Sequence, residues 1–215
     1  MRRPCLQTKL ITSRRGGYCF EQNLLFAAVL EQMSFPVTRL GARVRYRTTR
    51  ILPRTHMLLE VEAGGRTFVA DVGFGGEGLL FPVPLVPGEP SPQFVWTYRV
   101  VREGDAWVLQ SQHATGWHDL YVFTLEPQFP VDFEMASHYV STHPDSRFVQ
   151  TLTAQLPLPE VRHTLRNHEF YSERPDGVSQ TTIADDGHLL QVLSHTFGLE
   201  FPAGTRFPFQ ESRDE

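Results

Sequence analysis

The apolar positions that follow residue 19 repeat with helical spacing. Leu24, Ala27 and Ala28 lie three and four residues apart on one helical face, and Phe20 stands at the start of that face. The segment Ser34-Phe35-Pro36 then interrupts the pattern. The sequence therefore predicts a helix over 20–33 whose apolar face begins beside Cys19.

From residue 37 onward the pattern becomes the alternation that is typical of strands. Turn residues separate neighbouring strands, with Gly64-Gly65 inside one predicted hairpin and Gly104 inside another. Regularly spaced strands with such turns predict a small barrel or sandwich in the middle of the chain. The predicted strands cover 38–47, 57–61, 67–72, 94–101, 107–112 and 120–125.

The remaining segments give weaker signals. The proline-rich segment 81–92 predicts a loop over the barrel, and the polar segment 141–151 predicts the start of a crossover. The residues Asp185-Asp186-Gly187-His188 have the composition of a hairpin turn. The segment 189–197 is followed by Gly198, which is typical of a helix that ends at a glycine.

Composition narrows the class of protein. The 215 residues are 40% hydrophobic and 20% charged, which predicts one large globular domain or two to three small ones. The net charge of -4 gives no electrostatic reason to expect a nucleic acid or an anionic membrane as partner. No apolar run approaches the length of about 20 residues that a membrane helix needs. The N-terminus lacks the apolar segment of a signal peptide.

Cysteine usage points away from a disulfide scaffold and towards chemistry. The chain has two cysteines, Cys5 and Cys19, and no Cys/His cluster with zinc spacing. Two thiols suit a reducing compartment, so we expect a cytoplasmic protein without a bound metal. Cys19 follows the turn Gly16-Gly17 at the predicted start of a helix, where the helix dipole favours a reactive thiolate.

A thiolate nucleophile also needs a base and a group that orients the base, and one hairpin offers both. If the hairpin is centred on Gly64 and Gly65, His56 lies opposite Gly73. Asp71 is two residues from Gly73, so His56 and Asp71 share one face of the sheet as diagonal neighbours about 7 Å apart. A loop of odd length would place them on opposite faces.

Each of these features also has a structural explanation. A cysteine at a helix start can be structural, a histidine on a strand can be a core residue, and an aspartate at a strand end can cap a turn. The glycine-rich segment 71–78 can admit a ligand close to the backbone or form a tight turn. The segment 141–146 can cap a helix or line a polar cofactor cleft.

Several motifs together resemble the arylamine N-acetyltransferases. Their order and spacing also match that family, and the resemblance extends from about Leu6 to Phe197-Gly198-Leu199. The motifs are Arg-Gly-Gly-Tyr-Cys at 15–19, Glu-Gln-Asn at 21–23, Thr-His-Met at 55–57, Asp-Val-Gly-Phe-Gly at 71–75 and Ser-Thr-His-Pro-Asp-Ser-Arg-Phe at 141–148.

The resemblance implies an acetyl transfer of the ping-pong type. Acetyl-CoA acetylates Cys19, and an arylamine, arylhydrazine or arylhydroxylamine then accepts the acetyl group. His56 acts as base and Asp71 orients it.

The resemblance also implies contacts for both substrates. Tyr139, Ser146 and Pro53 match or lie near positions that contact coenzyme A, although Ser137-His138 departs from the family's asparagine before the tyrosine. Phe74 and Thr55 are implied as contacts of the aromatic acceptor.

The fold that the resemblance implies is of the α+β class. Residues 1–34 form the remnant of a helical bundle that carries Cys19, residues 35–140 a β-barrel, and residues 141–215 an interdomain segment with an α/β lid. Because only residues 1–18 precede Cys19, we expect an N-terminally shortened member. Apolar surface left exposed by the missing helices could drive homo-oligomerisation.

Three other functions stay open at this point. A related amide synthase would close a macrolactam from a carrier-bound acyl chain, with its differences in the acceptor pocket around the loop 81–92. A catalytically silent chain would bind coenzyme A or a partner subunit. A cysteine-dependent hydrolase would use water as the acceptor.

Overall fold

A computed structural model of the protein describes residues 3–207. A short helix α1 (Arg3–Gln7) and a π-helical turn (Thr8–Thr12) lead into helix α2 (Cys19–Gln32). Helix α2 confirms the helix predicted over 20–33. It begins at Cys19 itself, one residue earlier than the apolar pattern indicated.

The centre of the chain is a nearly closed barrel of eight antiparallel strands. The strand order is β4-β3-β2-β1-β8-β7-β6-β5. A bridge from Pro87 to Val100 brings the segment after β4 against β6, which narrows the gap between the two ends of the sheet. The strands are β1 (Val37–Val44), β2 (His56–Ala63), β3 (Arg66–Ala70), β4 (Val83–Pro84), β5 (Ser91–Gln93), β6 (Trp96–Glu103), β7 (Ala106–His113) and β8 (Gly116–Phe123).

The prediction of a loop over 81–92 is partly wrong, because this segment contains β4 and the start of β5. Both strands contain a proline, and both lie at the ends of the sheet. Proline is tolerated there because an edge strand does not have to donate every backbone N–H. The last barrel strand also runs earlier than predicted and ends at Phe123 instead of residue 125.

Strand β2 alternates between the two faces of the barrel wall. Leu58 belongs to the barrel core, where it packs with residues such as Leu40 and Tyr121. Its neighbours Met57 and Leu59 pack outside, in the cluster that also buries helix α2. Since side chains two residues apart share a face, His56 lies on the inward face with Leu58.

The C-terminal part combines helices with a second sheet. Helices α3 (Pro130–Thr142) and α4 (Arg147–Gln150) precede an antiparallel sheet in the order β12-β11-β10-β9, and helix α5 (Asp186–Phe197) follows it. Neither α3 nor this sheet was predicted from the local pattern. Its strands are β9 (Thr153–Pro157), β10 (Arg162–Arg166), β11 (Glu169–Arg174) and β12 (Gly177–Thr182).

The hairpin predicted at 185–188 is wrong. Asp185 is the N-cap of helix α5, and its carboxylate accepts the backbone N–H of His188 at 2.8 Å. A turn and a helix cap use the same side-chain bond, so composition did not separate them. The predicted glycine stop is confirmed, since Gly198 ends the helix with a φ of 65°.

The observed architecture confirms the α+β class with a barrel and a second α/β part. The predicted domain limits at 34 and 140 stay a prediction, and helix α3 crosses the second of them. Residues 1–2 and 208–215 of the expected domains lie outside the described residues. Among the helices of residues 3–207, none is long and apolar enough to span a membrane.

Candidate active site

Cys19 is the first residue of helix α2. The preceding residue, Tyr18, is extended (φ -100°, ψ 176°), and its backbone N–H points to the Glu21 carboxylate at 3.4 Å. The Cys19 side chain is buried, with its Sγ 3.7 Å from the carbonyl oxygen of Thr55. The thiol therefore lies at the positive end of the helix dipole and next to the strand that carries His56.

His56 and Asp71 lie together as the hairpin register predicts. Strands β2 and β3 pair Leu59 with Ala70, which is the register of a two-residue turn at Gly64-Gly65. His56 Nε2 is 2.7 Å from Asp71 Oδ2, and both side chains are buried. Because Nε2 is engaged by the carboxylate, Nδ1 is the ring nitrogen left to act on other groups.

The Asp71 carboxylate accepts from three donors. Besides His56, these are Asn23 Nδ2 at 2.8 Å and the backbone N–H of Gly73 at 2.8 Å. Burial would raise the pKa of Asp71, but the His56 charge and these hydrogen bonds outweigh it and hold the pKa below its ordinary value. Asp71 is therefore ionised at neutral pH.

The same pair makes His56 a strong base. Burial alone would lower its pKa, but the charge and hydrogen bond of Asp71 outweigh it, and Cys19 adds to the effect. The pKa of His56 is raised to about 10. His56 is consequently an imidazolium at neutral pH, with Cys19 beside it.

Asn23 joins the three elements that form this cluster. It is fully buried one turn after Cys19, and its Nδ2 donates both to Asp71 and to the carbonyl of Met57 at 2.7 Å. Its Oδ1 accepts the backbone N–H of Val72 at 3.0 Å. Helix α2, strand β2 and the loop after β3 are thereby fixed to one another through a single amide.

Gly73 allows the closest approach between the loop and the helix. A Cβ at Gly73 would lie 2.6 Å from Cys19 Cα and 2.9 Å from Asn23 Nδ2. Any side chain at this position would push the loop away from Cys19, because the nearest atom belongs to the helix backbone. The glycine-rich segment is therefore adapted to pack against the cysteine.

Aromatic rings surround the remaining face of His56. The ring of Phe74 lies 5.2 Å from that of His56, and the ring of Tyr121 lies 4.8 Å from it, measured between centroids. Tyr46 packs edge-on against Phe74 at 6.4 Å. Burial and the Asp71 charge raise the pKa of Tyr121 well above 10, so its phenol stays neutral. An apolar, flat-walled environment next to the histidine suits an aromatic ligand.

The other predicted contact residues lie on three separate segments. Thr55 precedes strand β2, and its backbone N–H and hydroxyl both donate to the carbonyl of Pro53. Tyr139 is exposed on helix α3 and stacks on His143 at 4.5 Å. Ser146 is buried as the N-cap of α4, and its hydroxyl donates to the carbonyl of Val140. At Ser146 the structure thus shows a helix cap.

Asn23 and Tyr121 were missed by the reasoning from sequence. Asn23 belongs to a quoted motif, and its position four residues after Cys19 on the same helical face is a signal that could have found it. Tyr121 comes from strand β8, which is separated from β2 by β1 in the barrel, and no local pattern links it to His56. Within residues 3–207, no group of three or more His, Cys, Asp or Glu side chains is arranged to hold a metal ion.

A buried cysteine at a helix start, beside a histidine held by a carboxylate, is the arrangement of thiol-dependent acyl-transfer and hydrolytic enzymes. Comparison with known proteins narrows this class. A protein-family model described as N-acetyltransferase matches residues 1–205. An arylamine N-acetyltransferase of Escherichia coli K12 is 39% identical over 196 residues, which cover 90% of this chain and 70% of the relative.

Solved structures agree with the sequence comparison. The arylamine N-acetyltransferase of M. tuberculosis superposes with a TM-score of 0.88 at 35% identity, over 92% of this chain and 76% of the other. That of Mycobacterium marinum in complex with CoA superposes with a TM-score of 0.87 at 32% identity, over 92% and 75%. The chain belongs to the arylamine N-acetyltransferase family.

Proposed function

We propose that this chain transfers the acetyl group of acetyl-CoA to aromatic amines through an acetyl thioester on Cys19. Arylhydrazines and, by O-acetylation, arylhydroxylamines are further acceptors of the same kind. The observation that carries the proposal is the 2.7 Å contact between His56 Nε2 and Asp71, which leaves the other ring nitrogen for the Cys19 side of the cluster. Family membership supplies the donor and acceptor classes.

The first half-reaction starts from an ion pair. His56, with a pKa of about 10, holds the proton of the Cys19 thiol as an imidazolium, and the helix dipole adds to the stabilisation of the thiolate. Cys19 Sγ attacks the thioester carbonyl of acetyl-CoA and forms a new C–S bond. The bond to the CoA sulfur breaks, and His56 gives its proton to that leaving thiolate, so CoA departs as a thiol.

The second half-reaction reverses these roles. The arylamine nitrogen attacks the acetyl-Cys19 carbonyl, and neutral His56 removes the proton that the nitrogen loses. The C–S bond breaks, and Cys19 leaves as a thiolate beside the renewed imidazolium. Asp71 stabilises the imidazolium in both directions and keeps the ring in place.

The two substrates meet different parts of the site. Phe74 packs on His56 and is the aromatic wall on which we expect the acceptor ring to lie, next to the segment of Thr55. For CoA we propose a contact with Tyr139, whose ring is exposed. Ser146, at the start of α4, and Pro53 are further proposed contacts, because they match or lie near positions that contact CoA in the family. A solved relative in complex with CoA, the product of the first half-reaction, supports acetyl-CoA as the donor.

Steady-state kinetics with acetyl-CoA and an arylamine test this proposal. We expect parallel lines in double-reciprocal plots, one CoA thiol released for each acetylarylamine formed, and loss of both products in Cys19→Ala. CoA release at the same rate without amine would indicate a hydrolase instead. Acylation without any arylamine product would favour a different acceptor, as in an amide synthase. No reaction from a folded, CoA-binding chain would leave only a silent binder.

A further inference from the structure

The loop after strand β3 is held at two ends. Its first residues contact helix α2, through Asp71 with Asn23 and through Gly73 with Cys19. The following residues contact the second sheet instead: the backbone N–H of Gly76 donates to Gln155 Oε1 at 2.9 Å. Phe74, the proposed acceptor wall, lies between these two attachments.

The second attachment places the Gln155 amide close to the loop backbone. At Gly75, where φ is 102°, a Cβ would lie 1.7 Å from Gln155 Oε1, so the amide occupies the space that a side chain would need. At Gly76 a Cβ would lie 3.0 Å from Thr164 Oγ1 on strand β10. The glycines at this end of the loop therefore allow side chains of the second sheet to approach the loop closely, just as Gly73 allows helix α2 to approach it.

A buried cation reinforces the same end of the loop. Arg162, on strand β10, is 2% exposed, and its guanidinium lies over the ring of Trp96 at 3.8 Å. Its Nη1 is 3.6 Å from the carboxylates of both Glu77 and Glu173, and its Nη2 donates to the Tyr98 hydroxyl at 3.0 Å. Tyr98 in turn donates to the carbonyl of Gly78 at 2.9 Å. Arg162 thus contacts the loop directly and through a barrel tyrosine.

Glu77 is itself anchored to the barrel. It accepts a hydrogen bond from the Ser111 hydroxyl, and His113 Nε2 lies 2.9 Å away. Burying a carboxylate and a guanidinium is costly unless they are paired, and separating such a pair leaves an uncompensated charge. The mechanism proposed for Cys19, His56 and Asp71 makes no use of Arg162 or Glu77, which suggests another role for this pair.

We propose that Gln155 and the Arg162–Glu77 pair are positioning residues that hold Phe74 for the aromatic acceptor. This inference rests on the proposed function. The Asp71 end of the loop has its own bonds to His56, Asn23 and Gly73. Loosening the Gln155 end therefore displaces Phe74 first and leaves the pair of Cys19 and His56 in place. Loss of Gln155 or of the Arg162–Glu77 pair should weaken the acceptor half-reaction and spare the acetylation of Cys19.

The mildest test is Gln155→Ala, because Gln155 is exposed and its removal leaves no buried charge. In a ping-pong reaction, kcat/KM for each substrate reports only its own half-reaction. We expect kcat/KM for the arylamine to fall about fivefold or more, and kcat/KM for acetyl-CoA to stay within about twofold. The matched control is Gln180→Ala, an exposed glutamine on the outer strand β12 that bonds to Glu169. It should change neither value.

The charged pair is tested by a cycle of variants. Arg162→Met should lower kcat/KM for the arylamine more than Gln155→Ala does. Adding Glu77→Gln should restore part of that loss, because the buried carboxylate, which keeps only Ser111 and His113 as partners, is replaced by a neutral amide. Folding of each variant is checked by the fraction of Cys19 that accepts an acetyl group. Equal loss in both half-reactions, or no loss in either, would overturn the inference.

Hydrogen exchange tests the positioning without turnover. In Gln155→Ala the amides of residues 74–78 should exchange faster than in the wild type and in Gln180→Ala, while those at the start of α2 stay protected. Unchanged exchange over 74–78 would refute the positioning role whatever the activity. If the wild type forms no acetyl-Cys19, the proposed function fails. The exchange result then still decides whether Gln155 holds the loop.

Discussion

Replacing Gly73 with alanine tests the contact on which the site's geometry depends. The added methyl would stand 2.6 Å from Cys19 Cα and 3.2 Å from Cys19 Cβ. Carbon atoms in contact are normally about 3.5–4.0 Å apart, so the loop and the helix must separate by about 1 Å. The nearest atom is backbone at a capped helix start, and no side-chain rotation relieves the clash.

The expected effect follows from that displacement. A misplacement of about 1 Å at a reacting centre costs about 100-fold in rate, and overpacking of this kind costs about 1–3 kcal/mol of unfolding free energy. We therefore expect Gly73→Ala to lower kcat/KM for acetyl-CoA about 100-fold and to lower the free energy of unfolding by about 1–3 kcal/mol. Assays of CoA release measure kcat/KM, and urea unfolding monitored by circular dichroism measures the free energy of unfolding.

Gly16→Ala is the matched control for this change. It belongs to the same motif as Cys19, but its Cβ would meet only Leu199, at 3.7 Å and beyond, which is ordinary contact. Its effect on rate should stay within about twofold, and on stability within about 0.5 kcal/mol. If Gly73→Ala behaves like Gly16→Ala in both assays, the loop does not position Cys19 as described.

Three further predictions concern the residues around the pair of His56 and Asp71. Asn23→Ala leaves Val72 N–H and Met57 C=O without their partner, so we expect the free energy of unfolding in urea to fall by about 2–4 kcal/mol. A fall below about 0.5 kcal/mol would contradict the role of Asn23 in joining these segments. Asp71→Asn removes the charge that holds the imidazolium, and kcat should fall by about 10⁴, as in the serine triad; a fall below tenfold speaks against the role. Because the pKa of His56 is raised from 6.5 to about 10, the pair's stabilisation is complete below about pH 6.5 and is lost as pH rises through about 10. The melting temperature of the wild type should therefore lose its advantage over His56→Gln between about pH 7 and pH 10.5, and a constant difference would count against the ion pair.

The predicted pairing of His56 with Asp71 was accessible from sequence because it is local. Both residues belong to one hairpin, and Gly64-Gly65 fixes the register that places them on one face. The helix start at Cys19 was equally local, since a glycine turn precedes an apolar stripe. Where one turn or one helical repeat determines the geometry, the residues near it carry enough information.

Contacts between distant segments were not accessible in this way. Tyr121 reaches His56 from strand β8, which is far from β2 in the chain, and Arg162 reaches Glu77 from another sheet. No spacing along the chain indicates either contact. The strands of the second sheet are short and are exposed or half-buried along much of their length, which weakens the alternation that reveals a strand. Tertiary packing determines these elements more than their own pattern does.

The central claim is that Cys19 carries the acetyl group, and peptide mass spectrometry after incubation with acetyl-CoA tests it most directly. The chain supplies its own control, because Cys5 is an exposed thiol outside the site. The account predicts one acetyl group on the Cys19 peptide, unchanged in Cys5→Ala, absent in Cys19→Ala, and lost when an arylamine is added. An unmodified Cys19 in a folded chain, or an acetyl group found on Cys5 alone, would contradict it.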